Sequence, residues 1–423
     1  MIFTEYIKSN SKKNNLILQP RMGVSNPIKM RKGLSLVKQC HSPTIGTITV
    51  DSYTRTKNFD SLNIALSKAH ELNGYPITTH SLETTQEFIK GIYAENFPIQ
   101  VRHGSPLPLH IFKSIINIGI DATEGGPISY CLPYGRTPLE KSIKEWSECC
   151  QLASSYNSKE YILHIESFGG CMLGQMCPPS MLIAISILEC IFFISNGIKS
   201  VSLSYTQQTN YLQDIAALKV LRMLGDKLLN TENWHIVLYS YMGVFPKSKN
   251  GAEDLQKLSI DIAKLSSVDR LIVKTTSEAI KIPSFKDNIN AINSSYNHYI
   301  NHNLVLSNKE LDVIGQLSKN IYYESLQLIE AVLNINSQIE RSLLIAFQKG
   351  ILDIPYCLHN NNKGETTSLI NDDGCVVWGN TGATPIEAKK SNDMINHMDF
   401  LNMLNYTQAK FDAPYLEEMN YIK

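Results

Sequence analysis

The chain has 423 residues, and its 39 lysine and arginine residues balance 39 aspartate and glutamate residues. A formal net charge of zero gives no long-range attraction to nucleic acid or to an anionic membrane, so any bound anion must be held by local groups. No stretch reaches the roughly 18 apolar residues of a membrane span, and the N-terminus lacks the apolar segment of a signal peptide, which favours a cytoplasmic protein.

The nine cysteines are an odd number, show no CxxC spacing and stand mostly in apolar surroundings. Reduced, packed thiols are therefore predicted rather than a disulfide framework or a zinc site. Cys357 and His359 lie two positions apart but lack a second ligand pair, so we predict no metal centre there.

Short runs rich in β-branched residues alternate with helical segments along most of the chain. The run starts are roughly 20 to 40 residues apart, which is the size of a strand plus a crossover helix. In order the runs are TIGTITVDSYTR, YPITTH, FPIQVRHG, GIDATEGG, YILHIESFGG, SVSLSYTQ, WHIVLYSYMG and RLIVKTT. Eight such units in succession predict an α/β fold, a (β/α)8 TIM barrel, with a doubly wound open sheet as the alternative.

Polar side chains stand at or near the C-terminal end of each run. They are Arg55, His80, Arg102, His103, Glu124, Glu166, Tyr205, Tyr241 and Lys274. In a barrel these ends converge on one mouth, where the active sites of this fold are built. Strand ends also meet solvent, which explains one or two polar residues but not such a succession of charged ones.

The densest stretch is DATEGGPISYCLPYGR, which contains Glu124, Tyr130 and Tyr134. Arg55 and Arg102 offer guanidinium groups suited to carboxylates, and Glu124 suits an ammonium group, so the set predicts a zwitterionic ligand such as an amino acid. The alternatives are an ion pair of Glu124 with one of these arginines and simple loop packing of the two tyrosines.

Other motifs have a structural explanation beside the functional one. Lys274 and Glu278 have the spacing of an exposed helical ion pair, with a Schiff-base lysine as the alternative. Gly125 and Gly126 allow the backbone to pass close to a ligand. Cys171 has no readable activating partner and is predicted to be an inert thiol.

The chain divides into three segments. Residues 1–15 are predicted to be a flexible arm, residues 16–300 the barrel, and residues 301–423 a helical and loop-rich extension packed on the barrel or on a partner. Within the extension, 307–335 and 337–352 have helical periodicity, and a polar, loop-rich stretch follows.

Taken together, LQPRMG, TVDSYTR, VRHG, DATEGGPISYCLPYGR, ESFGGCMLGQMCPPS, SLSYTQQT, YMGVFP and VKTTSEA resemble the large catalytic (epsilon, or E) subunit of glutamate mutase, also called methylaspartate mutase. The resemblance runs from about Leu16 to the tail. It implies a (β/α)8 barrel, in agreement with the strand and helix pattern.

The resemblance also implies roles for individual residues. Arg21, Arg55 and Arg102 would surround the substrate carboxylates, while Glu124 would receive the ammonium group and act as a base. Tyr130 and Tyr134 would complete the substrate pocket. The positions that contact adenosylcobalamin in the family correspond to Gly23, Pro133, Phe245, Lys274, Glu278 and Ile282.

The activity implied is the adenosylcobalamin-dependent interconversion of L-glutamate and (2S,3S)-3-methylaspartate by radical fragmentation and recombination. The cobalamin-binding signature DxHxxG is absent from this chain. A separate small cobalamin-binding subunit, the sigma or S chain, is therefore expected as partner, together with a homodimer of large subunits in a heterotetramer. Two other classes stay open: a cofactor-independent lyase or aldolase acting on an amino dicarboxylate through Lys274, and a non-catalytic amino-acid-binding protein.

Overall fold

Eight parallel strands form the centre of the molecule. The computed structural model describes residues 2–68, 71–133, 135–387 and 396–415. The eight strands are β1 (Ile17–Pro20), β2 (Gly46–Thr49), β3 (Ile99–Arg102), β4 (Ala122–Gly125), β5 (His164–Ser167), β6 (Ser200–Thr206), β7 (Trp234–Tyr239) and β8 (Arg270–Val273).

The strands pair in the order β1-β8-β7-β6-β5-β4-β3-β2, all parallel. A parallel bridge between Leu18 and Thr44 brings β1 beside the start of β2, and the amide of Leu18 donates to the carbonyl of Pro43 at 2.9 Å. The sheet thus curls into a barrel, which confirms the predicted fold class. Every C-terminal strand end faces the same mouth.

The expected number of strands is correct, but one strand was assigned to the wrong segment. YPITTH is not a strand: Tyr75 makes one bridge to Val50, and the amides of Thr79 and His80 turn back to the carbonyl of Pro76. The missing strand is β1, within LILQP, which is fully buried and pairs with β8. A four-residue strand that ends in proline carries too short a pattern to stand out.

Helices surround the barrel and extend beyond it. They are α1 (Ile2–Ser11), α2 (Pro27–Lys38), α3 (Ser52–Arg55), α4 (Phe59–Ser67), α5 (Leu82–Ile89), α6 (Leu109–Ile118), α7 (Leu139–Ser155), α8 (Pro179–Ser195), α9 (Tyr211–Leu228), α10 (Lys249–Leu265), α11 (Phe285–Asn301), α12 (Asn308–Leu333), α13 (Ile339–Lys349) and α14 (His397–Asp412). Short 3₁₀ turns occupy Gly169–Cys171 and Ala413–Tyr415. Most of α8 is buried, because the apolar sequence MLIAISILECIFF lies between the barrel and α12.

The segment before β1 differs from the expected flexible arm, because it contains helix α1. Phe3 and Ile7 are buried, and the Phe3 ring stacks on His164 of β5 with centroids 4.7 Å apart. The amide of Phe3 donates to the Asp121 carboxylate at 3.1 Å. These apolar and capping contacts close the N-terminal end of the barrel opposite the mouth.

The segment after α11 packs against the barrel wall. A two-stranded hairpin, β9 (Thr367–Ile370) and β10 (Val376–Asn380), is joined to α9 through hydrogen bonds of the Gln213 side chain with the backbone of Val376. Asp412 of α14 accepts from the amide of Ser248 at the start of α10. Within the described ranges, no helix is long and apolar enough to cross a membrane.

Candidate active site at the barrel mouth

Arg55 reaches the mouth from a one-turn helix above β2. Asp51 caps this helix by accepting from the amides of Tyr53 and Thr54 at 2.9 and 3.0 Å. Gly104 follows β3 with φ +64°, and a Cβ there would lie 3.3 Å from the Arg55 guanidinium. Glycine at this position therefore permits the turn and leaves room for Arg55 beside the end of β3.

Arg102 and Glu124 form a buried ion pair on adjacent strands. The Arg102 Nε donates to Glu124 Oε2 at 2.6 Å, and both side chains are almost fully buried. Tyr239 at the end of β7 donates to the same carboxylate oxygen at 2.9 Å, while Tyr130 donates to Oε1. Glu124 is thus held by donors from β3, β7 and the loop after β4.

Burial and charge set the protonation states of this cluster. Burial, and next the Glu124 carboxylate, raise the pKa of Tyr130 well above its usual value. Burial also raises the pKa of Tyr239, so both phenols keep their protons and act as donors. Burial alone would lower the pKa of Arg102, but Glu124 together with Tyr239, Tyr130 and Glu166 outweighs burial, and the pKa is raised. Arg102 therefore remains a guanidinium ion.

Two cationic donors at the mouth lack a partner among the described residues. They are Nη1 of Arg102 and Nε of Arg55, both buried from solvent. A buried N–H on a positive group is costly to leave unpaired, so both donors are suited to an anionic ligand group. The ion-pair interpretation of Glu124 and the ligand-site interpretation therefore hold together, because Arg102 pairs with Glu124 and still presents a free N–H.

Close packing explains the paired glycines after Glu124. Gly125 has φ +126°, and a Cβ on it would lie 2.5 Å from the Tyr130 ring. A Cβ on Gly126 would lie 2.0 Å from Glu189 Oε1. The sequence analysis expected these glycines to make room for a ligand. Instead they make room for Tyr130 and Glu189, which in turn shape the site.

Glu189 of α8 anchors the loop that carries Tyr130. Its Oε1 accepts from the amides of Ile128 and Ser129 at 3.0 and 2.8 Å, and its Oε2 accepts from the hydroxyls of Ser129 and Ser167 at 3.0 and 2.7 Å. Burial raises the pKa of Glu189 to about 7 despite these four donors. The side chain fixes the loop without reaching the mouth, so Glu189 is a positioning residue.

Below Glu124, the barrel interior contains a polar network that the sequence analysis did not assign. Glu166 of β5 accepts from Tyr239, from Gln100 at 3.1 Å and from Arg270 of β8. Arg270 also donates to Gln19. These side chains are fully buried. The sequence feature that points to this network is the alternation of side chains between the two faces of β7, which puts Tyr239 on the same face as His235.

Lys274 and Glu278 lie beyond β8 on the same mouth, next to β7 and β1. The Lys274 ammonium lies 3.6 Å from the Glu278 carboxylate and 5.2 Å from the centroid of the Phe245 ring. Burial lowers the pKa of Lys274 to about 8, with Glu278 opposing the shift and Arg21 adding to it. Lys274 is only 7 % exposed, so the surface ion-pair interpretation is wrong for this residue.

The remaining predicted cofactor positions lie on loops around the same rim. Gly23 follows β1, and a Cβ on it would lie 2.5 Å from the carbonyl of Thr49, so tight packing against β2 excludes larger residues. Pro133 is half-buried in the loop after β4, and Ile282 is 69 % exposed. Tyr134 lies outside the described residues.

The arrangement separates the site residues into two sectors. Arg55, Arg102, Glu124 and Tyr130 come from β2, β3, β4 and their loops. The other sector is formed by residues that follow β7, β8 and β1. Arg21 belongs to this second sector: it is exposed, and its charge acts on Lys274.

Several polar residues at the predicted strand ends have structural roles instead. His103 packs face to face against Trp146 at 5.7 Å, and burial lowers its pKa to about 3. His80 bonds to the carbonyl of Ser25 at 2.9 Å. Tyr205 donates to Gln208, just after β6, at 2.9 Å.

The two cysteines considered individually in the sequence analysis, Cys171 and Cys357, are both buried. Cys171 is buried, and burial raises the pKa of its thiol well above the usual value, as expected for an inert thiol. His359 bonds to the carbonyl of Thr137 at 2.9 Å, while the Cys357 thiol donates to the carbonyl of Leu132 at 3.5 Å. These two residues are thus engaged by different backbone groups.

Comparison with known families shows which family the chain belongs to. Residues 1–399 match the family model described as methylaspartate mutase E chain (MutE). The chain belongs to the methylaspartate mutase E chain family. This membership confirms the resemblance predicted from the sequence motifs and makes the chain an enzyme of the isomerase class.

Curated relatives agree with the assignment. The glutamate mutase epsilon subunit of Haloarcula marismortui is 28 % identical over 368 residues, covering 85 % of this chain and 74 % of the relative. The Yersinia enterocolitica epsilon subunit is 29 % identical over 389 residues, covering 87 % and 78 %. Among solved structures, a truncated 3-deoxy-D-arabino-heptulosonate 7-phosphate synthase from Thermotoga maritima aligns with a TM-score of 0.35 and 10 % identity, over 73 % of this chain and 88 % of that one. The barrel assignment rests on the strand order and on the contacts that bring β1 beside the start of β2.

Proposed function

We propose that this chain is the catalytic subunit of an adenosylcobalamin-dependent mutase that interconverts L-glutamate and (2S,3S)-3-methylaspartate. The observation that carries the proposal is a pair of unpartnered cationic donors at the mouth: Arg102 Nη1, on the side chain that pairs with the buried carboxylate of Glu124, and Arg55 Nε. A substrate with two carboxylates and one ammonium group complements these charges.

The two arginines act by holding the substrate carboxylates in fixed positions. Arg102 is oriented by Glu124 and Tyr239, so its remaining N–H points in one direction without further ordering cost. Arg55 is held by the Asp51-capped helix. A third arginine, Arg21, approaches from the opposite side of the mouth. Such anchoring suits a rearrangement in which two parts of the substrate must stay in place while their bond is broken and remade.

Glu124 serves as the partner of the substrate ammonium group and as the base near the reacting carbon. Tyr130 and Tyr239 keep its carboxylate oriented through their hydroxyl protons. The surrounding cluster is buried, which keeps water away from a reactive intermediate. Tyr134 joins the substrate pocket in this proposal.

The residues of the second sector fit the nucleoside part of adenosylcobalamin. Lys274 is a buried ammonium with one carboxylate partner, and the Phe245 ring lies beside it. Gly23, Phe245, Glu278 and Ile282 of the same sector complete the proposed contacts, together with Pro133 from the loop after β4. When bound, adenosylcobalamin supplies the radical that starts the rearrangement.

The proposal includes a second protein. The chain lacks the DxHxxG signature, so we propose a small cobalamin-binding sigma subunit that covers the mouth, and a homodimer of large subunits. A cytoplasmic location is part of the same proposal.

An omission experiment tests this proposal. The purified chain is incubated without oxygen with L-glutamate, adenosylcobalamin and the small subunit of a relative, and 3-methylaspartate is measured by chromatography. Product is expected only in the complete mixture. An Arg102→Lys variant should retain cofactor binding but raise KM for glutamate. Complete mixtures that bind cofactor yet form no product would refute the proposed reaction.

One observation favours a second function. A lysine with a pKa of about 8 at a barrel strand end is suited to Schiff-base chemistry with a carbonyl substrate. A cofactor-independent lyase or aldolase acting through Lys274 would trap labelled dicarboxylate substrate on borohydride treatment, and Lys274→Arg would abolish trapping. Failure to trap any substrate on Lys274 would exclude this alternative.

A further inference from the structure

A cluster of two histidines and one aspartate lies on the outer wall of the barrel. Asp261 is on α10, His298 is on α11, and His302 is the residue that caps the end of α11. The Nε2 atom of His298 and the Nδ1 atom of His302 both lie 2.9 Å from Oδ1 of Asp261. We propose that these three residues bind a divalent transition-metal ion of the zinc class.

The distances between the ligand atoms are close to those in a metal site. With Zn–N and Zn–O bonds of about 2.0–2.2 Å, a tetrahedral centre has ligand atoms about 3.3 Å apart. The two N···O distances of 2.9 Å need to open by only a few tenths of an ångström, and all three ligand atoms lie within 4.8 Å of one another. Small side-chain rotations are therefore enough to admit the ion.

The donor set indicates the class of metal. Two imidazoles and one carboxylate suit zinc, cobalt or nickel, whereas calcium and magnesium require mostly oxygen ligands. The histidine rings are four positions apart and stack with their centroids 4.5 Å apart, so both nitrogens face the same carboxylate. We commit to zinc as the ion because it accepts three protein ligands with water in the fourth position.

Two of the three proposed ligands are mostly buried, and the third is open to solvent. Asp261 and His298 have side chains that are 11 % and 17 % exposed, whereas that of His302 is 47 % exposed. A surface groove between α10 and α11, with His298, Gln256 and Ser294 among its lining residues, gives water access to an open coordination position.

Lys264 fixes the end of α11 next to the site. Its ammonium donates to the carbonyls of Tyr299 and His302 and to the side chain of Asn303, each at 2.7 Å. These bonds hold the backbone of His302 in place and so preorganise one ligand. The lysine charge opposes a second cation nearby, so we expect an affinity in the micromolar range rather than that of a closed structural zinc site.

The bound ion would join α10 to α11, the two helices on either side of β8 in sequence. The chain between β8 and α11 carries Lys274 and Glu278. The proposal does not depend on the function proposed for these residues, because the metal cluster lies on the outer wall and uses none of the mouth residues.

Zinc binding by the full chain tests the inference. Chelator-treated protein is titrated with ZnCl2, and binding is followed by calorimetry and by the melting temperature. The wild-type chain should bind one Zn²⁺, and its melting temperature should rise with zinc. His302→Ala should weaken binding about 100-fold or more and remove the zinc-dependent rise. His41→Ala, which removes an exposed histidine outside the cluster, should behave as wild type.

Asp261→Asn gives a second readout, because it keeps the side-chain size and removes the charged ligand. It should fold as wild type without zinc and bind zinc more weakly. Equal zinc affinity in the wild type and in His302→Ala would overturn the inference, as would a wild-type chain that binds no zinc. Either result would leave the cluster as a pair of imidazole N–H groups bonded to one carboxylate.

Discussion

Replacing Tyr239 by phenylalanine removes one hydroxyl from the centre of the mouth and changes nothing else in shape. That hydroxyl donates to the carboxylates of Glu124 and Glu166 and accepts from Arg102 at 3.1 Å. It has one proton, so it donates to one carboxylate at a time while it accepts from Arg102. The variant therefore loses about two hydrogen bonds to charged, buried groups.

The expected loss of stability follows from these bonds. A hydrogen bond to a charged group contributes about 1.5–3 kcal/mol, and local relaxation recovers part of the loss, so we expect the free energy of unfolding to fall by about 3 kcal/mol. For a chain of 423 residues the entropy of unfolding is about 0.9 kcal/mol/K. The melting temperature should therefore fall by about 3 °C.

Tyr241→Phe provides the matched control. Tyr241 is two residues further on and also buried, but the hydrogen-bonding group beside its hydroxyl is the neutral hydroxyl of Thr407 rather than a charged side chain. Its removal should change the free energy of unfolding by less than about 1 kcal/mol. Both variants are measured by calorimetry under identical conditions. Equal losses in the two variants would refute the assignment of Tyr239 as the central hydrogen-bonding group of the mouth.

Three further predictions address other parts of the site. Burial raises the pKa of Glu189 from 4.5 to about 7, so between these pH values the folded chain holds a proton that the unfolded chain releases, and the free energy of unfolding of the wild type should fall by about 3 kcal/mol as pH rises through this window. In denaturant titrations at pH 4.5 to 7, Glu189→Gln, whose amide mimics the protonated carboxyl, should show a flatter pH dependence of this free energy. Parallel curves for the wild type and the variant would contradict the burial argument. The Lys274 ammonium should titrate near pH 8, against 10.5 for an ordinary lysine. The titration is followed in the NMR spectrum of the ¹³C-methylated chain, with Lys274→Arg used to assign the signal, and a midpoint near 10.5 would contradict the buried environment. Gly126→Ala places a methyl group 2.0 Å from the Glu189 carboxyl and should destabilise the chain by at least about 2 kcal/mol. Gly315→Ala is the control, because a Cβ there meets nothing within 4 Å and should not destabilise the chain, so equal melting temperatures of the two variants would contradict the packing at Gly126.

The barrel itself could be predicted because a period of strand and helix recurs along the chain. The β/α alternation and the long helical segments after β8 have strong local patterns, and the structure contains helices at 308–333 and 339–349 where they were expected. The assignment of YPITTH as a strand, when the true strand lies within LILQP, shows the limit of that reasoning. Both stretches are short and apolar, and only pairing with a distant strand distinguishes them.

The chemistry-bearing residues could be predicted only where they stand at strand ends. Arg102 and Glu124 were found because a charge at the end of an apolar run is conspicuous. Tyr239 and Arg270 were missed, because their partners Glu124 and Glu166 lie more than 100 residues away, and the alternation along β7 indicates only the face on which Tyr239 lies. The buried state of Lys274 was missed for the same reason: Phe245 and Arg21 approach it from other loops.

The most direct test of the central claim is the fate of a single labelled carbon. L-Glutamate labelled with ¹³C at C3 is incubated without oxygen with the chain, the small subunit and adenosylcobalamin, and the product is examined by ¹³C NMR. Migration of the glycyl part from C3 to C4 converts C3 into the methyl carbon, so the label should appear in the methyl group of 3-methylaspartate. A label in the methine carbon, or glutamate recovered unchanged with the cofactor bound, would contradict the proposed carbon-skeleton rearrangement.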